Sequence, residues 1–210
     1  MKIQVLVDNP NSWIIPYSKE LVRVLNKQGH NSKLIHSHSE VEEGDILCLL
    51  SCEKIFKQLD KNRHNLVVHE SNLPQGKGWS PLTWQILEGK NKIPITLFEA
   101  DKDVDSGVIY LQDYIELEGH ELLPEIKEKQ GIKTNELILN FLENYNKINP
   151  KSQKGKESFY SKRKPKDSEL DIHKSIKDQF NLLRVVDNER YPAFFYHNGQ
   201  KYILKIYKDS

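Results

Sequence analysis

The first 69 residues carry four short apolar runs with stretches of helical spacing among them, and this alternation restricts the possible folds more than any other feature of the chain. Lys2 to Val7 alternates into an apolar run that stops at Asp8-Asn9-Pro10. From Ile14 to Leu25 the residues Ile14, Tyr17, Leu21, Val24 and Leu25 recur at helical spacing, and Gly29 supplies a helix-ending signal. Further strands are expected at Ser32 to His36, Asp45 to Ser51 and Asn65 to His69, with a short helix at Lys54 to Leu59 before the last of them. Short apolar strands separated by helices read as a parallel sheet covered on both faces, since a parallel crossover lays its connection against the sheet. Open sheets of this kind bind ligands beyond the C-terminal ends of their strands. Asp8 to Trp13, Ser51 to Lys54 and His69 to Gly78 therefore share one rim.

Beyond Gly78 a helix at Pro81 to Leu87 is expected, capped by Ser80 and with proline in its first turn. Strands at Ile93 to Phe98 and Val108 to Leu117 flank an acidic loop from Glu99 to Gly107. Leu122, Ile126, Leu137, Ile138, Phe141, Leu142 and Tyr145 return at helical spacing between Glu121 and Tyr145, with Gly131 expected to break or kink that helix. From Asn149 to Asp167 the composition turns to Lys, Ser, Gly and Pro, which reads as a linker or an ordered crossing segment. Seven Lys/Arg fall between Lys151 and Lys166, either as a solvated loop or as an electropositive lip for phosphates or carboxylates. A helix at Ile176 to Val186 and a hairpin of Ala193 to Tyr196 and Tyr202 to Ile206 close the chain, Asn198-Gly199 being a type I′ turn signal. The fold class is thus α/β with a mostly parallel sheet, divided into a main unit at 1–150 and a small helix and hairpin region at 151–210.

Composition removes several function classes. The longest unbroken apolar run, Ile46 to Leu50, is five residues, against the roughly 18 to 20 of a membrane-spanning helix. No secretory apolar segment precedes Asp8, so the chain is expected in the cytoplasm and away from membranes. With 31 Lys+Arg against 30 Asp+Glu, the net charge of +1 gives little attraction to a polyanion, and no nucleic-acid partner is expected. The two cysteines, Cys48 and Cys52, read as a buried small hydrophobe and a loop thiol; without a second pair they make a weak metal signal, and no metal is expected.

The informative stretch is His69-Glu70-Ser71-Asn72-Leu73-Pro74-Gln75-Gly76-Lys77-Gly78-Trp79-Ser80-Pro81-Leu82. A histidine at a strand end, followed by a Pro/Gly-rich loop and then a helix, sits where open α/β sheets do chemistry, although a lone histidine is also a common structural residue. Gly76-x-Gly78 is too little for the Gly-rich dinucleotide pattern, so a Rossmann cofactor site is not supported. Trp79 and Trp84 read either as packing or as a wall of a substrate pocket.

His69, Ser71, Leu73-Pro74, Gly78, Ser80-Pro81, Trp84, Gly89, Ile95-Thr96-Leu97 and Asp105-x-Gly107 together resemble the formyltransferase family that uses 10-formyltetrahydrofolate. Its members include methionyl-tRNA formyltransferase, glycinamide ribonucleotide transformylase and the sugar N-formyltransferases. A second set, Phe159-Tyr160-x-x-Arg163-x-Pro165-x-Asp167, Asn181-Leu182-Leu183-Arg184 and Tyr191-Pro192-Ala193-Phe194-Phe195, resembles the start of the C-terminal region in the tRNA and sugar enzymes. The resemblance implies a Rossmann-like domain whose catalysis rests on an Asn-x-His pair and a downstream Asp. His69 and Asp105 match, whereas Val67 stands where the family has asparagine and cannot donate to an oxyanion. Formyl transfer to an amine needs a proton acceptor and a donor for the oxygen that gains charge, roles suited to Asp105 and His69. The nucleophile belongs to the substrate, so no serine or cysteine acyl-enzyme is needed.

By the same resemblance the folate enters between the loop after the third strand and the loop before the aspartate, here Ser51, Cys52 and Glu53 with Phe98, Ala100, Asp101 and Val104. Ser71, Asn72, Trp79, Arg184 and Tyr191 are the expected acceptor-side residues. About 45 residues follow Pro165, fewer than a tRNA-directed C-terminal domain occupies. The resemblance is nearest the short enzymes of pseudaminic acid biosynthesis, which implies a UDP-linked 4-amino-4,6-dideoxy sugar as acceptor, with glycinamide ribonucleotide or a catalytically dead binding module as alternatives. The C-terminal aromatics read as a nucleotide platform, as core, or as a homodimer contact.

Overall fold

The alternation resolves into strands wherever an apolar run ends on turn chemistry. The computed structural model describes residues 1–209. β1 (Lys2–Leu6) leads into α1 (Ile15–Lys27), β2 (Asn31–Ile35), β3 (Gly44–Leu49) and β4 (Asn62–His69). The two-residue β5 (Lys77–Gly78), α2 (Pro81–Leu87), β6 (Lys92–Glu99), β7 (Ile109–Glu116) and α3 (Leu123–Glu143) follow. A two-residue β8 (Phe159–Tyr160), α4 (Phe180–Val185) and the hairpin strands β9 (Ala193–His197) and β10 (Gln200–Leu204) complete the order. Six strands form one sheet in the order β2-β1-β3-β4-β6-β7. Its first four are parallel, while β6 is antiparallel to β4 and β7 antiparallel to β6. The α/β reading therefore holds, with the C-terminal helix and hairpin in place. No described helix is long and apolar enough to cross a membrane.

Alternation along the central strands sends side chains to two cores. Ile3, Val5, Ile46, Cys48 and Leu66 pack with Leu21 and Leu25 of α1 and Ile126, Leu137, Ile138 and Phe141 of α3. Leu6, Leu47 and Leu49 face the other way, against Ile35, Val41 and Phe56. Strands buried on both faces read as continuous apolar runs, which is why Ile46 to Leu50 stands out in the sequence.

Several boundaries differ from the sequence reading, each for a local reason. No helix forms at Lys54 to Leu59, where there is only a 3₁₀ turn at Leu59–Lys61. The Asp8 carboxylate accepts the Glu53 amide at 2.9 Å and the Lys54 amide at 2.9 Å, and Phe56 turns inward while Ile55 stays exposed. Ser80 makes no side-chain cap; it sits at φ +48°, turning the chain into Pro81. Gly131 does not interrupt α3, which runs unbroken past it. The Tyr17 ring occupies the space a Cβ would fill, 2.4 Å away, so this glycine lets α1 approach α3. The helix expected at Ile176 begins only at Phe180, because Gln179 turns back to bond the amide and carbonyl of Asp171 at 2.6 and 3.0 Å. Asn198 and Gly199 have φ of +47° and +75°, as a type I′ turn requires.

α4 is tied to the sheet unit by a buried ion pair. Arg184 is 1% exposed, and its guanidinium donates to the Glu121 carboxylate at 3.2 Å, the Glu121 carbonyl at 3.0 Å and Asn91 Oδ1 at 3.0 Å. Burial alone would raise the Glu121 carboxyl, but Lys129 and the amides of Glu118 and Gly119 outweigh it and hold the group at about 2. A folded value below the usual 4.5 contributes stability that is complete above 4.5 and lost as pH falls toward 2. Glu121→Gln leaves Arg184 buried without its countercharge and should cost about 3–5 kcal/mol near neutral pH. Urea denaturation at neutral pH and at pH about 3 checks this: the gap between wild type and variant should narrow in acid, and a gap independent of pH would contradict it.

Candidate active site

β4 ends on His69 at the rim, and its backbone carbonyl turns the chain by accepting the Ser71 amide at 2.9 Å. The ring is held through Nε2, which lies 2.9 Å from the Gly76 carbonyl oxygen and 3.6 Å from Asp105 Oδ2. A carbonyl can only accept, so Nε2 carries the proton and donates it. Among the described residues Nδ1 has no hydrogen-bond partner, which leaves that nitrogen for a ligand. Both side chains are 10% exposed.

Asp105 reaches this position through a backbone at φ +54°, a conformation that costs free energy for any residue with a Cβ. Three contacts hold it. Its Oδ2 accepts the Gly78 amide at 2.9 Å. Gln153 Nε2 donates to the carbonyls of Asp105 and Gly107 at 2.8 and 2.9 Å. Gly107 lies so close to the Glu99 carbonyl that a Cβ would stand 1.7 Å from it. The root of the same loop is fixed by the Glu99 side chain, which accepts from the Asn65 amide and, at 2.7 Å, from the Tyr110 hydroxyl, with His64 Nδ1 at 3.2 Å.

The segment read as a linker or crossing piece is an ordered crossing. β8 pairs with β5, so Lys77 and Trp79 donate to the carbonyls of Ser158 and Tyr160 at 2.9 and 3.1 Å. Gly78, at φ +96°, is where Tyr160 passes closest, its carbonyl 2.6 Å from the position a Cβ would take. Trp84 belongs to this brace: its ring stacks on Tyr160 at 6.3 Å and its Nε1 donates to the Ser161 carbonyl at 2.9 Å.

Val67 is on the same face of β4 as His69, two residues back. It packs with Leu73, Phe98 and Ile109 on one side and with the group containing Cys52, Phe56 and Ala100 on the other. Of the residues expected on the folate side, Cys52, Phe98 and Ala100 join this apolar floor. Ser51, at φ +50°, and Glu53 lie on the rim, where Ser51 Oγ is 3.4 Å from Ser12 Oγ and Glu53 Oε1 accepts from Asn9 at 2.8 Å. Asp101 and Val104 are exposed. Burial and the neighbouring Asp8 charge push the Cys52 thiol up to about 12, so it stays protonated and is no nucleophile.

On the acceptor side Ser71 is buried, and its hydroxyl has no partner among the described residues. Asn72 is exposed and accepts from Gln112 at 3.2 Å. Trp79 and Tyr191 are also exposed. Arg184 corrects the sequence reading: spent on Glu121 and buried, it is not presented to a ligand. The Gly76 carbonyl, Gln153 and Glu99 were missed, and only Glu99 carried a signal, as the first acidic residue of its loop.

A family model described as "Formyl transferase" matches residues 10–140. Over 129 residues the chain is 28% identical to methionyl-tRNA formyltransferase of Thermodesulfovibrio yellowstonii, a match that takes in 60% of this chain and 42% of that protein. The chain thus spans less than half the length of this relative. Methionyl-tRNA formyltransferase from Clostridium thermocellum superposes with a TM-score of 0.82 at 21% identity, over 100% of this chain and 94% of that one. A 4-N formyltransferase from Francisella tularensis gives 0.74 at 18% identity, over 100% and 98%. HypX from Aquifex aeolicus, solved in complex with tetrahydrofolic acid, gives 0.80 at 19% identity, over 98% and 37%. At these identities the structural likeness is one of fold.

The close approach at Gly107 makes a test of how the loop is held. Gly107→Ala should destabilise the protein by about 1–3 kcal/mol or more, since the Glu99 backbone must move. A denaturation midpoint equal to that of wild type would show that the loop is not fixed there.

Proposed function

The chain belongs to the formyl transferase family, and on that premise we propose that it moves a formyl group from 10-formyltetrahydrofolate to the amine of a nucleotide-linked amino sugar. The observation that carries the reading is the His69–Asp105 pair, 3.6 Å apart at a strand end with one imidazole nitrogen left unpartnered. As the amine adds to the formyl carbonyl, the amine must lose a proton and the carbonyl oxygen gathers negative charge. Asp105 accepts the proton, the Gly78 amide steadying the carboxylate, and as the carbonyl re-forms the bond between the formyl carbon and the donor nitrogen breaks, that nitrogen taking up the proton so that the formamide and tetrahydrofolate leave. His69, with Nε2 engaged by Gly76, turns Nδ1 toward the reacting groups; Nδ1 of the neutral ring can only accept, so it donates to the acyl oxygen only after taking up a second proton from solvent.

A flat pteridine ring needs apolar walls with polar edges, and Val67, Cys52, Phe98 and Ala100 make an apolar floor between the loops at 51–56 and 98–104. These residues fit the group, which when bound supplies the activated formyl. Val67 leaves the missing oxyanion donor to the substrate, a water or the buried Ser71 hydroxyl.

A small acceptor is supported by the net charge of +1, which favours no polyanion. A UDP-linked 4-amino-4,6-dideoxy sugar is the specific acceptor proposed. Val67 favours one second reading, a module that binds folate and sugar nucleotide without turnover. Supplying 10-formyltetrahydrofolate with UDP- and dTDP-linked amino sugars, glycinamide ribonucleotide and methionyl-tRNA decides among these by the acceptor that gains the mass of one formyl group. His69→Ala and Asp105→Ala should each lower turnover by roughly 10²-fold or more while the fold survives. Near-normal turnover in either variant would sink the mechanism, and no transfer to any acceptor would leave the binding module.

A further inference from the structure

Resting on the reading of a nucleotide-linked acceptor, we propose that the Trp79 indole and Lys162 form the shelf on which the nucleoside diphosphate part of the acceptor lies. Trp79 follows Gly78, whose amide bonds the Asp105 carboxylate at 2.9 Å, so its backbone adjoins the candidate catalytic pair. It is 45% exposed, whereas Leu82 and Ile86 of the adjoining helix are buried. A half-exposed indole forgoes part of the stabilisation of burial, and with Lys162 over one face it is the opposite face that a base would take.

The backbone beneath it is fixed. Trp79 donates to the Tyr160 carbonyl at 3.1 Å, and Tyr160 is anchored in turn by the Glu88 carboxylate at 2.8 Å. The shelf is therefore ordered before any ligand arrives. Lys162 Nζ sits 4.6 Å from the indole centroid. Lys162, Lys164 and Lys166 are exposed, and among the described residues none of them is in an ion pair with a carboxylate. Unneutralised ammonium groups beside an exposed aromatic ring match the two chemistries of a nucleoside diphosphate, a flat base and a negatively charged diphosphate. Arg184, the obvious alternative cation, is buried on Glu121 and cannot serve.

The test is calorimetric titration of UDP into the full-length chain and its variants, with uridine and inorganic pyrophosphate as part-ligands. Trp79→Ala should weaken UDP binding about 10-fold or more, Trp79→Phe should retain most of it, and uridine should lose as much as UDP does. Lys162→Ala should weaken UDP and pyrophosphate severalfold and flatten the salt dependence of UDP binding. UDP affinity unchanged in Trp79→Ala, or no UDP binding by wild type, overturns the proposal. Because the readout is binding, the two readings fail separately. UDP bound through Trp79 without formyl transfer to any acceptor counts against the enzyme reading alone. Formyl transfer with UDP affinity unaffected by Trp79→Ala counts against the shelf alone.

Discussion

One imidazole nitrogen spent inside the protein governs the candidate site. Nε2 of His69 donates to the Gly76 carbonyl and faces Asp105 at 3.6 Å, so the ring has one orientation and one nitrogen left over. The acceptor carbonyl and the carboxylate both depend on the same short loop, since Gly78, two residues after Gly76, gives its amide to Asp105. If that loop moved, the histidine would lose its tautomer and the aspartate its anchor together. Preorganised polar groups of this kind do their work because they need not reorganise as charge develops.

The loop keeps its place through segments distant in sequence. β8 pairs with β5 from about 80 residues further along the chain, and Gln153 clasps the backbone on both sides of Ser106. Glu99 locks the other root, engaging β4 and Tyr110. Close backbone packing at Gly78 and Gly107 brings these segments nearer than any side chain would permit. The positive-φ conformation of Asp105 is strain at the candidate site, sustained by contacts that over-determine it.

Local physics made much of this legible in the sequence. The strands were readable because buried parallel strands must be apolar and must stop on turn residues, and His69 was notable for its place at such a stop. Asn198-Gly199 predicted its turn because only that turn demands two positive φ values in succession. What escaped was decided by tertiary contact. Lys54 to Leu59 has helical composition, but Asp8 captures its first amides. Arg184 reads as a surface cation, yet Glu121, 63 positions earlier, draws it into the interior. Gln153 and the Gly76 carbonyl bear no local mark, since their roles arise only when the crossing segment meets the loop. Val67 was visible as an apolar residue in a polar place, and the structure gives it an alternative use as floor between two apolar groups.

The proposed mechanism needs His69 to hold its proton on Nε2 and to turn Nδ1 to the substrate. Long-range ¹H–¹⁵N correlation on ¹⁵N-histidine-labelled protein, at a pH where imidazoles are neutral, reads this directly, with the His69 signals assigned by their loss in His69→Gln. The account predicts protonated-type nitrogen at Nε2 and unprotonated-type nitrogen at Nδ1. A proton on Nδ1, or the averaged pattern of a freely exchanging ring, would contradict it.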